Sequence, residues 1–303
     1  MSRSDEGFHS AELQAALRAA VAGRPAELER LLIRAGAVVT QRPNLRLAAA
    51  FGAEVAALSG AVTGLLQRFT AEDAAPDTDR AFLPIAAAHG WAARLRAGRD
   101  VDSAWAALGA LAADERTPVR LGARDALTTL AQRPGGADEL IARAEEWLAM
   151  EDREQRFGAA AQVMELVGDR RVLAAIHDQA ALRAYLDRSI AEVADAPRSA
   201  ERSEARRRLL AALPKALAGA LSGGAGDAAR DWFQELCSET VHVDVRRALS
   251  DTLVLLVHDA THGLSSSVVD HLRSSLQASA KPLRDPTRLR PGTGRGKRSR
   301  RTR

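Results

Sequence analysis

The sequence predicts an all-α protein, an α-solenoid of stacked antiparallel helix pairs. Three observations predict it. Apolar residues make up 46% of the chain but aromatics only 4%, so the core is built mainly from Ala and Leu. These favour helix, whereas strands favour β-branched and aromatic side chains. Next, apolar residues recur at helical spacing almost everywhere before residue 280, as in Leu13, Leu17, Ala20 and Val21 on one face. Finally, clusters that stop helices punctuate the chain at short intervals. They fall at Gly23-Arg-Pro25, Ala71–Asp79, Gly98-Arg-Asp100, Thr117-Pro118, Arg133-Pro-Gly-Gly136, Gly168-Asp169, Ala194–Ser199, Ser222–Gly226 and His262-Gly263. Helices of about ten to twenty residues joined by short turns result. No alternating strand pattern interrupts them. The many Ala residues let such helices approach closely.

At 303 residues the chain is long for a single core, which leaves two domains or one elongated array. Its composition divides it into three segments. Residues 1–9 are expected to be flexible, 10–280 to form the helical array, and 281–303 to be a disordered basic tail. The tail holds Pro282, Pro286, Pro291 and several glycines with almost no apolar residues, so it cannot bury enough surface to fold alone. It carries ten basic residues against one acid, Asp285, for a charge of +9; since the whole chain is +4, residues 1–280 carry −5. A mildly acidic body argues against nucleic-acid binding along its whole length, which needs a basic stripe to neutralise phosphates.

Three segments align on an arginine near the start of a helix. Arg120 is followed by Ala123, Leu127 and Leu130; Arg156 by Ala159, Val163 and Leu166; Arg246 by Leu249, Leu253 and Leu256. In each, the apolar residues lie on one helical face. Each is preceded by a helix containing a tryptophan (Trp105, Trp147, Trp232), expected in or beside the core, and by a turn with an acid (Asp114, Asp152, Asp244). Weaker copies fit at Arg46, Arg80 and Arg206. Successive arginines are then 34, 40, 36, 50 and 40 residues apart, near the period of about 40 of two-helix repeats.

The segments Asp114-Glu-Arg-Thr-Pro-Val-Arg120-Leu-Gly-Ala-Arg-Asp-Ala-Leu127 and Val243-Asp-Val-Arg246-Arg-Ala-Leu249 resemble HEAT repeats. The resemblance covers residues 40–280, with two repeats matching well. It implies a superhelix in which the turn Asp and the helix Arg bond within and between adjacent repeats. Degenerate motifs of this kind specify fold better than function.

His258 and His262 stand one helical turn apart with His242 and Cys237 upstream, a spacing that metal sites use. No Glu follows His258, so the zinc-protease pattern His-Glu-x-x-His is absent, and histidines at a helix C-terminus suit the dipole without any metal. HEAT-like iron hydroxylases use His-Glu ligand pairs, and the chain has no His-Glu dipeptide. HEAT-like DNA glycosylases carry an Asp one turn after a Trp; here Trp91, Trp105, Trp147 and Trp232 are followed at that spacing by Leu95, Gly109, Glu151 and Leu236. Cys237 lies on an apolar helix and reads as a buried structural thiol. The run Ser222–Gly226 lacks the lysine and the preceding strand of a phosphate loop.

Two basic features remain. Arg198, Arg202 and Arg206 recur every fourth residue and on one helix would form a stripe, a candidate dock for an anionic partner; the interleaved Glu201 and Glu204 favour a solvated, salt-bridged face instead. In the tail, Lys297, Arg298, Arg300, Arg301 and Arg303 could grip nucleic acid or an acidic protein surface, or serve only to keep the chain soluble. No aromatics are interleaved for base stacking. The expectation is a non-enzymatic repeat scaffold that binds a protein partner, without metal or cofactor. The alternatives are a nucleic-acid-associated protein anchored by the tail, or a repeat-fold enzyme such as a glycosylase. No stretch of about 18 apolar residues could span a membrane, and the opening residues lack the apolar run of a secretory signal. With a single cysteine, a cytoplasmic location is expected.

Overall fold

The structure is a computed structural model that describes residues 3–38, 42–58, 62–75, 78–223, 227–258 and 264–279. The described residues are mostly helical and contain no strand. The α-helices are α1 (Arg3–Val21), α2 (Ala26–Gly36), α3 (Leu45–Ala57), α4 (Val62–Thr70), α5 (Phe82–Arg96), α6 (Val101–Ala112), α7 (Thr117–Ala131), α8 (Gly136–Trp147), α9 (Arg153–Val167), α10 (Arg170–Leu173), α11 (Gln179–Ala194), α12 (Glu204–Gly223), α13 (Asp227–Glu239), α14 (Val243–His258) and α15 (Ser266–Ala278). Asp79–Ala81 and Arg198–Arg202 are 3-10 turns. Helix α1 begins at Arg3. Among the described residues no helix is long and apolar enough to cross a membrane.

Local chemistry sets the helix starts. The side chains of Asn44, Asp152, Asp169, Asp178 and Ser265 accept backbone N–H groups at the starts of α3, α9, α10, α11 and α15, replacing partners those amides lack within the helix. Pro118 occupies the first turn of α7, where its missing N–H costs nothing.

Packing runs between sequence neighbours. Helix α3 packs on α5, α5 on α7, α9 on α12 and α12 on α14, while α4, α6, α8 and α11 lie alongside them. Two helices are enclosed more fully than an amphipathic surface helix would be. Every residue from Phe82 to Leu95 in α5 is buried, and so is every residue from Phe157 to Met164 in α9. Both stretches are rich in Ala, as close approach demands, and each also buries polar side chains, His89 and Arg94 in α5 and Gln162 in α9. Trp91, Trp105 and Trp147 are buried and Trp232 half-buried. Three of these indoles donate their N–H to a neighbour: Trp91 to Thr70, Trp105 to Glu139 and Trp232 to Asp187.

Polar contacts between elements repeat with the same spacing. Arg94 donates to the Leu58 carbonyl, Arg116 to that of Ala74 and Arg124 to that of Glu165. Arg156 pairs with Glu192, Arg206 with Asp244 and Arg208 with Glu165, and the Trp232 indole reaches Asp187. These partners are all between 36 and 45 residues apart. The aligned arginines share a further geometry. Arg120 donates to the carbonyl of Asp114 at 2.9 Å, Arg156 to that of Met150 at 2.7 Å and Arg246 to that of Thr240 at 3.0 Å. In each case the acceptor lies six residues upstream, in the preceding turn, so the guanidinium ties that turn to the next helix.

Candidate functional site

The widest departure from regular spacing is the 50-residue interval between Arg156 and Arg206. The short helix α10 and the turn after it fall there, between α9 and α11. Asp169 stops α9 and caps α10, accepting the Arg171 N–H at 2.9 Å. The turn after α10 is pinned from α8: Asp138 Oδ1 accepts the N–H groups of His177 and Asp178 at 2.8 and 3.0 Å. Gln179 closes it by donating to the Ile176 carbonyl at 2.9 Å. An open cavity of about 1070 Å³ lies here between α7, α10, α12 and the exposed Leu255 of α14.

Burial divides its lining into floor and rim. Gly168, Ile176, Pro214, Ala218 and Gly219 are buried, and Leu173 is half-buried. Arg170, Arg171, Ala174, Ala211, Lys215 and Leu255 are exposed and Arg124 is half-buried. The floor is therefore apolar and the rim cationic, with Asp169 as its one acid. The Arg171 guanidinium, with its backbone N–H, holds the Asp169 carboxyl down to about 2, and Arg124 adds to the effect. Lys215 forms no ion pair among the described residues. Its stem lies over Gly168, where an added Cβ would come 3.1 Å from Lys215 Cδ. Pro214 provides no N–H for the carbonyl one turn back, an interruption of α12 on the groove wall. Toward α7 the charge continues: Glu165 is shared by Arg124 at 3.6 Å and Arg208 at 3.4 Å. Burial lowers the pKa of the nearby Arg120, and Arg208 lowers it further.

A second hollow, of about 620 Å³, has the opposite charge, with Glu72, Asp73, Asp114, Glu115, Glu154 and Glu204 against Arg116, Arg120 and Arg208. Several of its charges are occupied in holding turns. Arg116 is buried on Asp114, Arg80 binds Glu72, and Ser203 donates to Glu154. The groove at α10 is the better candidate site, because it is the wider of the two and has a buried apolar floor.

The structure separates residues that the sequence groups together. Arg198, Arg202 and Arg206 do not form one helical stripe. Arg198 and Arg202 bound a 3-10 turn that ends at Ser203, and α12 starts at Glu204. Ser203 Oγ accepts the Arg206 N–H at 3.0 Å, the geometry of an N-cap, which breaks the register. Arg206 is buried and bound to Asp244 at 2.7 Å, a structural tie. The tail residues Lys297, Arg298, Arg300, Arg301 and Arg303 lie outside the described residues. So do His262 and the side chain of His258. Cys237 is buried, and burial pushes its thiol up to about 12. Among the described residues no three His, Cys, Asp or Glu side chains are grouped to hold a metal. The groove residues Arg124, Arg170, Arg171 and Lys215 were not singled out from the sequence. The long 50-residue interval, with Gly168-Asp169 followed by Arg170-Arg171 inside it, was the signal that marked the place.

No protein-family model matches the chain, and no curated protein matches it.

Proposed function

We propose that the chain is a non-enzymatic, HEAT-like α-solenoid that holds a segment of a protein partner in the groove at α10. The observation that carries the reading is the groove itself, an apolar floor under a rim of Arg124, Arg170, Arg171 and Lys215, beside the short helix α10. Support for the repeat architecture comes from the polar ties between partners 36 to 45 residues apart and from the common six-residue arginine-to-carbonyl geometry at Arg120, Arg156 and Arg246. Stacked pairs that touch only their neighbours leave extended surfaces suited to binding. The chemistry of the groove favours binding over catalysis. Asp169, held down to about 2 by Arg171, makes a poor general base; outside the groove, burial in α13 keeps the Cys237 thiol protonated at neutral pH.

A photoreactive residue placed at Ala211, on the exposed groove wall, tests the reading in the native cell. A covalent adduct with one protein is expected from this position and not from Ala142, which is exposed on α8. Equal adducts from both positions, or none from Ala211, would overturn it.

A further inference from the structure

Exposed apolar side chains gather at one place in the molecule. Among the described residues the large exposed hydrophobics are Leu121, Val241, Val243, Val254, Leu255 and Val257, so all but the first fall between residues 241 and 257. Single exposed apolar residues are ordinary, but a contiguous group marks a contact surface. We propose that the outer face of α14 is a dimer interface, packed antiparallel about a two-fold axis on α14 of a second copy of this chain.

The packing shows why this face is open. Helices α3, α5, α7, α9, α12 and α14 pack one on the next. Helix α5 has α3 and α7 as neighbours in this row, and α12 has α9 and α14. Helix α14 has only α12, and among the described residues no further helix of the row follows it. Its buried face includes Val245, Leu249 and Leu256. Opposite them, Val243, Arg247, Ser250, Val254 and Val257 follow at steps of three and four residues, one stripe of a helix, and all are exposed. A helix face that meets only water is normally polar; here Val243 is 77% exposed and Val257 56%.

The order of residues along the stripe identifies the occupant. Val243 and Val257 each lie seven residues from Ser250, so the three share one edge of the helix. Antiparallel pairing about a two-fold axis at Ser250 sets Val243 of each copy against Val257 of the other. It also brings Arg247 of each copy to about 3 Å along the axis from the level of the other copy's Asp251, within easy reach of a guanidinium. Both residues are exposed and neither forms an ion pair among the described residues. Parallel pairing would oppose Arg247 to Arg247 and Asp251 to Asp251, so charge selects the antiparallel arrangement. A surface complementary to itself is what a two-fold interface requires. Residues 281–303 make a poor substitute, since they hold only Leu283 and Leu289 as large apolar residues among ten cations. A single helix of 16 residues offers less than the roughly 800 Å² per partner of a standard interface, so the dimer is weak and reversible.

Sedimentation equilibrium on the full chain, from about 1 μM to a few hundred μM, tests this in the range where weak association is readable. The mass is expected to rise from one chain toward two and no further. Val254→Glu, at an exposed position and checked for unchanged circular dichroism, should weaken association at least about tenfold, because both copies lose an apolar contact. Arg247→Glu and Asp251→Arg should each weaken it through like charges across the interface. An equimolar mixture of those two variants should associate as the wild type does, since each then supplies the charge the other needs. Amide exchange in α14 should slow as protein concentration rises, while that in α5 stays constant. The proposal is overturned if the mass stays at one chain throughout or passes two. It also falls if Val254→Glu associates as the wild type does, if the mixture associates no better than either variant alone, or if exchange in α14 ignores concentration. None of Val254, Arg247 and Asp251 lines the groove at α10, so these outcomes leave the partner reading to its own test.

Discussion

His89 lies buried in α5, with Nε2 3.7 Å from an Asp125 carboxylate oxygen and without a hydrogen bond. Burial is the main reason its pKa is pushed down to about 4; Arg96 lowers it further, and Asp125 opposes them from across the α5–α7 contact. The imidazole is therefore neutral in the folded protein at neutral pH. In the unfolded chain it titrates near its ordinary value of 6.5. The folded pKa is the lower one, so the stabilisation is complete above pH 6.5 and is lost as pH falls from 6.5 toward 4, where the unfolded chain takes up a proton that the core refuses. The loss amounts to about 2 kcal/mol by pH 5. His89→Leu should remove this component. Urea unfolding at pH 7 and pH 5 would show a smaller pH-dependent loss in the variant than in the wild type, and equal losses would contradict the burial argument. The carboxylates do not confuse the comparison, since both proteins share them and Asp169, near 2, titrates below this window.

At the scale of elements, the helix contacts depend on close approach, and α3 on α5 is the sharpest case. A Cβ added at Gly52 would stand 2.6 Å from the carbonyl oxygen of His89, a backbone atom that cannot swing aside. Alanine is the better helix former by about 1 kcal/mol, yet overpacking a helix crossing costs about 1–3 kcal/mol. Gly52→Ala should thus lower the melting temperature. Gly64→Ala in α4, where an added Cβ meets nothing within 4 Å, should raise it. Calorimetry on the two variants decides the matter, and the same sign of shift in both would refute the packing account. This scale also separates what the sequence reveals from what it conceals. Helical class and the arginine register were legible because both are local. The apolar stripes need only a few turns of sequence, and Arg120, Arg156 and Arg246 reach carbonyls just six residues away. The enclosure of α5 was not legible, because it depends on neighbours supplied by α2, α3, α6 and α7. The supposed stripe at Arg198, Arg202 and Arg206 failed on a local signal that was present but outweighed by periodicity: Ser203 is a helix-starting residue. The groove was half legible, since irregular spacing marked the insertion but only packing could separate its buried floor from its charged rim.

Across the whole molecule, unequal enclosure predicts unequal stability. Helices α5 and α9 are covered on all sides, whereas α14 leaves Val243, Val254, Leu255 and Val257 exposed. Helix α15 is held by its packing on α13 and α14 and by Arg246, which donates to the Leu276 carbonyl and to Ser279. In an array of neighbour contacts, a terminal unit is stabilised from one side only. Its opening free energy should fall below that of the interior, since local opening follows the number of buried contacts broken. Amide hydrogen exchange should therefore show α13–α15 opening first and α5 and α9 last, with intermediate values between. One common opening energy for all helices would mean a single cooperative globule and would refute a stacked array. The groove ties this gradient to binding, because Leu255 belongs both to the weakly covered helix and to the groove wall. A ligand that binds only the closed form of α14 raises its opening energy by mass action. Binding of a partner in the groove should therefore slow exchange in α14 more than in α5.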